Sequence, residues 1–381
     1  MSSSKMLLVF GTRPEAIKML PVAQALMRKS NADVRICVTA QHRQMLDQVL
    51  DLFDVWPDYD LDIMKQGQGL EHVTTAVLQG LGDVLDDAKP DRVLVHGDTT
   101  TTMAASLAAF YRKVPVAHVE AGLRSGDPAQ PWPEEMNRRV TDVIADRFFA
   151  PTTRARDNLL KENASPAAIH VTGNTVIDAL LAVVDRIDRS PDLKETLAAQ
   201  FAFLAPDRPI LLVTGHRREN FGKPFDSLCS AIRDLARAHQ IQVVYPVHLN
   251  PNVQSAVRRF LGDVPHVHLV PPLDYLPFVY LMMRAHVVLT DSGGIQEEAP
   301  SLGKPVFVMR NVTERPEAVE AGTVKLVGTD RDRIFTAVGE VIEDADAHAR
   351  MSQAHNPYGD GQAARRIADI LTIGSTDEFS P

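Results

Sequence analysis

Arg92-Val-Leu-Val-His96 runs into Gly97-Asp98-Thr99-Thr100, then into a helical pattern from Thr99 to Arg112, then into Pro115-Val-Ala-His-Val119 and Glu120-Ala-Gly-Leu-Arg124. Two short apolar runs, each closed by a polar turn with glycine, flank one helix. Continuous apolar runs of this length suit strands buried on both faces of a parallel sheet. The same unit recurs outward. Upstream lie Met6-Leu-Leu-Val-Phe10, a helical pattern from Pro14 to Lys29 with proline in its first turn, and Val34-Arg-Ile-Cys-Val38. Downstream lies Arg147-Phe-Phe-Ala150. A second series follows at Ile210-Leu-Leu-Val213, Ile241-Gln-Val-Val-Tyr245, Val267-His-Leu-Val270, Val287-Val-Leu-Thr290 and Pro305-Val-Phe-Val308. Repeated strand–helix units mean doubly wound α/β domains.

The chain has 381 residues, enough for two or three domains at about 150 each. Two series of about five strands predict two domains, residues 1–175 and 176–360, with 361–381 packing back on the first. The connection is set at about Gly173 to Pro191, where the sequence turns polar, and residues 361–371 form a last helix. The net charge of -9 argues against a nucleic-acid footprint, which needs a basic domain or stripe. It leaves room for an anionic small ligand held by a few local cations. Two cysteines cannot build a disulfide framework, and Cys37 lies in an apolar run that predicts a reduced core thiol. Only five apolar residues, Met6 to Phe10, follow the N-terminus, too few for a signal or a membrane span. The chain is expected to be cytoplasmic, without membrane or nucleic-acid partners.

In open α/β sheets ligands bind beyond the carboxyl ends of the strands. In the first half those ends read Gly11-Thr-Arg-Pro-Glu15, His96-Gly-Asp-Thr99 and Glu120-Ala-Gly-Leu-Arg124. In the second half they read Gly215-His-Arg-Arg-Glu-Asn220, Pro246-Val-His248 and Asp291-Ser-Gly-Gly294. The titratable residues thus fall where a ligand sits, and a ligand is expected in a cleft between two facing domains. Asp291-Ser-Gly-Gly-Ile-Gln-Glu-Glu298 is a strand end, a glycine turn and a helix start, a phosphate site by backbone geometry. The plainer alternative is a Ser292 N-cap. Arg13 stands before the first helix, free to reach a phosphate, with Lys18 one turn on. The nearest dinucleotide fingerprint, Gly359-Asp-Gly-Gln-Ala-Ala364, follows no strand, so no nicotinamide site is predicted. No metal-ligand spacing appears either, and no cofactor is expected.

Asp98, Glu120, Glu134 and Glu135 make a cluster of carboxylates, and crowding predicts raised pKa values and a poised base or acid. The plainer alternative has Glu134 and Glu135 capping a helix and Asp98 capping the helix at Thr99. A stiff proline-rich loop, 125–133, delivers Glu134 to a helix start. His216 ends a strand beside Arg217 and Arg218 and suits proton exchange or phosphate contact. His96 and His118 lie inside apolar strands and are expected to be structural.

Gly11-Thr-Arg-Pro-Glu-Ala-Ile-Lys18, His96-Gly-Asp-Thr99, His118-Val-Glu-Ala-Gly-Leu-Arg124, Pro133-Glu-Glu-Met-Asn-Arg138, Thr214-Gly-His-Arg-Arg-Glu-Asn220, Asp291 to Glu298 and Thr313-Glu-Arg-Pro-Glu317 together resemble the non-hydrolysing UDP-N-acetylglucosamine 2-epimerases, over about residues 6–372. The resemblance implies the glycosyltransferase-B architecture, two Rossmann-like domains facing across a cleft. It implies interconversion of UDP-N-acetylglucosamine and UDP-N-acetylmannosamine without NAD or metal. The route would be loss of UDP to 2-acetamidoglucal and re-addition with inversion at C2.

Residue by residue, it implies that Asp98, Glu120 and Glu134 handle the proton and the oxocarbenium-like charge. His216 and Arg13 would contact the leaving phosphate, with Lys18 nearby. Ser292, Gly293 and Gly294 would hold the diphosphate, Glu298 the ribose hydroxyls and Arg315 the nucleotide. Uracil would lie along Leu273 to Phe278. A second, activating site would involve Gln41, His42, Gln44 and His248, and this chain carries Gly67 where some relatives carry Arg. Relatives are homodimers. The rival functions are a UDP-sugar glycosyltransferase of the same fold, a hydrolysing 2-epimerase and a chemically idle nucleotide-sugar sensor.

Overall fold

The computed structural model describes residues 3–40, 43–65, 67–215 and 222–380, with 43–45 described by their backbone alone. Among these, seven strands form one parallel sheet: β1 (Ser4–Phe10), β2 (Ala32–Val38), β3 (Tyr59–Asp60), β4 (Arg92–His96), β5 (Val116–Val119), β6 (Arg147–Ala150) and β7 (Ile169–Val171), in the order β3-β2-β1-β4-β5-β6-β7. Six more form a second: β8 (Ile210–Thr214), β9 (Gln242–Pro246), β10 (Val267–Val270), β11 (Val287–Thr290), β12 (Val306–Val308) and β13 (Val324–Leu326), in the order β10-β9-β8-β11-β12-β13. Both orders start from a central strand and wind outward on each side, so each sheet is Rossmann-like. Each has a topological switch point, β1/β4 in the first and β8/β11 in the second.

The apolar runs are strands because both faces are covered. Leu7, Leu8, Val9 and Phe10 of β1 and Val93, Leu94 and Val95 of β4 are fully buried. Leu7, Val9, Val93 and Val95 pack on Val77, Leu81, Ala104 and Ala108 of the covering helices. In the second sheet Leu211, Val213, Val243 and Tyr245 pack on Leu228, Ile232, Val253 and Val257. Cys37 and Cys229 belong to these cores, and burial pushes each thiol up to about 12. The pattern of about five strands per half misses β3, β7 and β13, because β3 is only two residues long and the three-residue β7 and β13 are interrupted by His170 and Lys325, so none shows a continuous apolar run.

The chain divides into two compact units, 1–179 with 358–381, and 180–357. The division falls inside the helix Thr175–Arg189, so the stretch taken as a connection is helical. The polar residues beyond it form a further helix, Pro191–Gln200, capped by the Ser190 hydroxyl. The last helix, Ala363–Ile373, returns to the first unit. Asp178 accepts from the amides of Ala363 (3.2 Å) and Ala364 (2.8 Å), Lys29 pairs with Asp369, and Asn31 Nδ2 donates to the Thr372 carbonyl at 3.0 Å. No helix among the described residues is long and apolar enough to cross a membrane.

Candidate functional site

The first unit's switch point is tied together by a residue that sequence patterning did not single out. Glu15 is 2% exposed. Its Oε2 accepts from the amides of Gly11 (3.1 Å) and Thr12 (2.9 Å) and from the Thr12 hydroxyl (2.8 Å). Its Oε1 accepts from the hydroxyls of Thr99 (2.7 Å) and Thr102 (3.0 Å). One carboxylate therefore joins the loop after β1 to the loop after β4. Gly11 is required there, because a Cβ would run into Thr39 Oγ1. Arg13 opens the helix Arg13–Met27 half-buried, with no ion pair to the described residues. Five residues on, the side chain of Lys18 turns inward.

Lys18 pairs with Glu120, which follows β5 with a left-handed backbone, φ +65°. A non-glycine residue there is strained, and such strain gathers at functional sites. Glu120 Oε2 also accepts from Asn174 Nδ2 at 2.8 Å, and His96 Nε2 lies 3.6 Å from it. Burial pushes the Glu120 carboxyl up, but Lys18 and His96 outweigh burial and hold it well below the ordinary carboxylate range. This corrects the expectation that crowded carboxylates raise it, since its close neighbours are cations and donors.

The other acids are likewise separated. Asp98 pairs with Arg138. Glu135 is wholly buried between Arg138 (3.2 Å), Arg139 (3.0 Å) and the amide of Ser125 (3.0 Å). Asp98 does not cap the helix Thr100–Tyr111; the Thr99 hydroxyl does, accepting from the Thr102 amide. Glu134 begins the helix Glu134–Ile144, and its Oε2 is buried without a hydrogen-bond partner among the described residues.

The two histidines read as structural part company. His118 is structural: Nδ1 meets Asp142 Oδ1 at 2.6 Å and Nε2 donates to the Gly97 carbonyl at 2.8 Å. His96 lies instead at the catalytic candidate Glu120. Asn174 also escaped the sequence, because its signal depended on β7, a three-residue strand with His170 at its centre and no continuous apolar run. The pairing of Lys18 with Glu120 spans 102 positions, so no local pattern could reveal it.

In the second unit the Thr214 and Thr290 hydroxyls meet at 2.6 Å across β8 and β11, and Tyr245 donates to the Gly215 carbonyl at 2.8 Å. Ser292 precedes the helix Gly293–Ser301, but its hydroxyl makes no cap bond, against the plain N-cap alternative. Its amide donates instead to Thr290 Oγ1 at 2.9 Å. Arg315 lies over Gly293 so closely that a Cβ there would sit 2.6 Å from Nη1. The same guanidinium pairs with the buried Glu297. A cation and a helix N-terminus thus meet at one place, which suits a phosphate.

Glu298 accepts from the Tyr275 hydroxyl at 2.6 Å, and burial followed by the Glu298 charge pushes that phenol well above its usual value. Nearby, Arg310 grips Glu314 with two bonds of 2.8 and 3.0 Å, which outweighs burial and lowers the Glu314 carboxyl to about 2. Leu273, two residues before the helix Tyr275–Arg284, and Phe278, in its first turn, stand half-buried.

Several expected site residues are not placed. His216, Gln41 and His42 lie outside the described residues, and Gln44 is described by its backbone alone, in the helix Arg43–Leu52. His248 is exposed and accepts from the Asn250 amide at 3.1 Å. Gly67 has φ +70°, so a larger residue would be strained there although nothing stands close to it. Among the described residues no group of three or more His, Cys, Asp or Glu side chains is placed to hold a metal ion.

A family model described as UDP-N-acetylglucosamine 2-epimerase matches residues 24–372. A UDP-N-acetylglucosamine 2-epimerase of Escherichia coli K12 is 59% identical over 368 residues, 96% of this chain and 98% of that protein. One of Campylobacter jejuni is 50% identical over 378 residues, 98% of this chain and 99% of that protein. The crystal structure of the Neisseria meningitidis UDP-GlcNAc 2-epimerase bound to UDP-GlcNAc superposes with a TM-score of 0.91 at 51% identity, covering 96% of this chain and 99% of that one. A glycosyltransferase of Rickettsia africae, 12% identical with a TM-score of 0.61 over 98% of this chain and 94% of that one, shares the fold alone.

Proposed function

The chain belongs to the UDP-N-acetylglucosamine 2-epimerase family, and from that membership we propose that it interconverts UDP-N-acetylglucosamine and UDP-N-acetylmannosamine by elimination and re-addition of UDP, without hydrolysing the nucleotide sugar. The observation that carries the reading is the Glu120 carboxylate, buried and ionised against Lys18 at the end of β5. Binding a polyanion has no use for buried acids; moving a proton has. That favours an enzyme over an idle sensor.

The proton at sugar C2 is not beside a carbonyl, so its removal alone is very unfavourable. Loss of the C1 substituent solves this. The C2–H bond breaks and its proton passes to a carboxylate. The pair freed from C2–H forms C1=C2, and the C1–O bond to UDP breaks, UDP leaving with the bonding pair of C1–O. Return of a proton to the opposite face of C2 and attack of the UDP oxygen on C1 complete the inversion. Each half needs an acid–base group and stabilisation of the leaving diphosphate. Asp98, Glu120 and Glu134 serve the first need. Arg13, His216, Arg315 and the amides at Ser292, Gly293 and Gly294 serve the second, with Glu298 on the ribose and uracil along Leu273–Phe278. On the same reading the protein works as a homodimer, with a second, activating nucleotide-sugar position at Gln41, His42, Gln44 and His248.

Two results are expected. Incubated with UDP-N-acetylglucosamine in heavy water, with neither NAD nor metal added, the protein will form UDP-N-acetylmannosamine and place deuterium at C2 of both epimers, read by proton NMR. Free N-acetylmannosamine and UDP as the products would mean a hydrolysing enzyme; retained C2 hydrogen would mean a different reaction. Arg13→Ala and Arg315→Ala will each weaken UDP binding by about 1.5–3 kcal/mol in calorimetry, the contribution of a charged hydrogen bond. Arg315→Ala will also melt lower, because it leaves Glu297 buried without this partner. Unchanged UDP affinity in both variants refutes the placement.

A further inference from the structure

His96 ends a strand otherwise made of Arg92, Val93, Leu94 and Val95. It is 3% exposed, and neither ring nitrogen makes a hydrogen bond to the described residues. An unpaired buried polar group costs its full desolvation, so an apolar side chain would serve the fold here as well or better. His118 on the adjacent strand is the contrast. In the register that pairs Val95 with His118 and His96 with Val119, the His118 ring has both nitrogens bonded and the His96 ring, among the described residues, has neither. Buried groups left unsatisfied in a native structure call for an explanation, and strain of this kind gathers where function needs it.

What the His96 ring faces is Glu120. Its Nε2 lies 3.6 Å from Oε2, the oxygen that already accepts from Lys18 Nζ and Asn174 Nδ2, while Oε1 accepts from none of the described residues. Among the described residues the groups around this carboxylate are Lys18 from the helix Arg13–Met27, His96 from β4 and Asn174 just before the helix Thr175–Arg189. We propose that His96 is a positioning residue for the reaction, the third donor behind Glu120 Oε2, which holds the carboxylate so that Oε1 is the oxygen presented to the sugar. With its proton on Nε2 the ring donates to Oε2 once the gap closes by a few tenths of an ångström. The inference rests on the reading that Glu120 handles the proton.

His96→Phe keeps a planar ring of similar bulk and removes both nitrogens. The expected result is a protein that melts at or above the wild-type temperature, binds UDP and shows KM as before, yet has kcat reduced about 10²-fold, the cost of a small misplacement of a reacting group. His96→Gln, which restores one N–H donor, will recover part of kcat. A structural role gives the opposite split, a lowered melting temperature with normal kcat in the folded protein. Near-normal kcat in His96→Phe overturns the proposal. So does a His96→Phe chain that fails to fold, because the nitrogens would then serve the fold. Wild-type turnover is measured alongside: its absence overturns the epimerase reading and this inference together, whereas normal turnover by wild type and variants alike overturns the inference alone.

Discussion

Glu120→Gln will lower the rate of epimerisation by about 10²- to 10⁴-fold while UDP still binds, because general acid–base groups contribute that much. Asp98→Asn and Glu134→Gln will fall by the same order, and the three will differ in what they do to the fold. Glu120→Gln removes the anion from a pair whose side chains are 11% and 8% exposed and leaves Lys18 without it. Asp98→Asn leaves Arg138 its second partner, Glu135 at 3.2 Å. Glu134→Gln costs the fold little, since Oε2 has no partner to lose among the described residues. Steady-state kinetics with calorimetric UDP titration and thermal melts separate the two effects. An amide variant with near-normal turnover removes that residue from the catalytic set. A Glu134→Gln that is inactive and also unstable would show its carboxylate serving the helix start instead.

Lys18→Met will have the largest effect on stability, about 3–5 kcal/mol, the cost of leaving one member of a buried ion pair uncompensated. Acidification identifies the cause. Burial pushes the Glu120 carboxyl up, but Lys18 and His96 hold it well below its ordinary value of 4.5. A carboxyl lowered in the folded state lends stability above its ordinary value and loses it as the pH falls toward the folded one. Wild type will therefore lose stability as the pH drops below 4.5. The variant, whose Glu120 is no longer held down by Lys18, will lose less over the same interval, so the gap between the two will narrow. Calorimetric melts across that interval read this, and a gap that stays constant or widens refutes the pairing. Turnover of the variant will also fall, because Glu120 loses the cation that keeps it ionised.

Much of this protein was legible one residue at a time. Strands covered on both faces must be continuously apolar, so the runs at Met6–Phe10, Arg92–His96 and Val287–Thr290 announce themselves, and two series of them predict two doubly wound units. The polar residues that interrupt the pattern at the strand ends, Arg13, Asp98, Glu120, Ser292 and Gly293, are legible for the same reason, since ligands bind beyond the carboxyl ends of the strands. Local chemistry likewise predicts that Glu134 begins a helix, and the helix Glu134–Ile144 begins there.

The electrostatics of those residues were decided elsewhere. Sequence counts four nearby carboxylates and expects mutual repulsion; the fold supplies Lys18, Arg138 and Arg139 and gives Asp98, Glu120 and Glu135 each a basic partner. Lys18 and Glu120 are 102 positions apart, and only the adjacency of β1, β4 and β5 brings the helix after β1 to the loop after β5. His96 and His118 look alike in sequence, each a histidine in an apolar strand, yet His118 is fully bonded and His96 stands beside Glu120 without a hydrogen bond to the described residues. Periodicity reports which residues are buried, because burial follows the local backbone geometry. Which buried polar group meets which partner depends on loops that close over long separations, and that information exists only once the sheet is assembled.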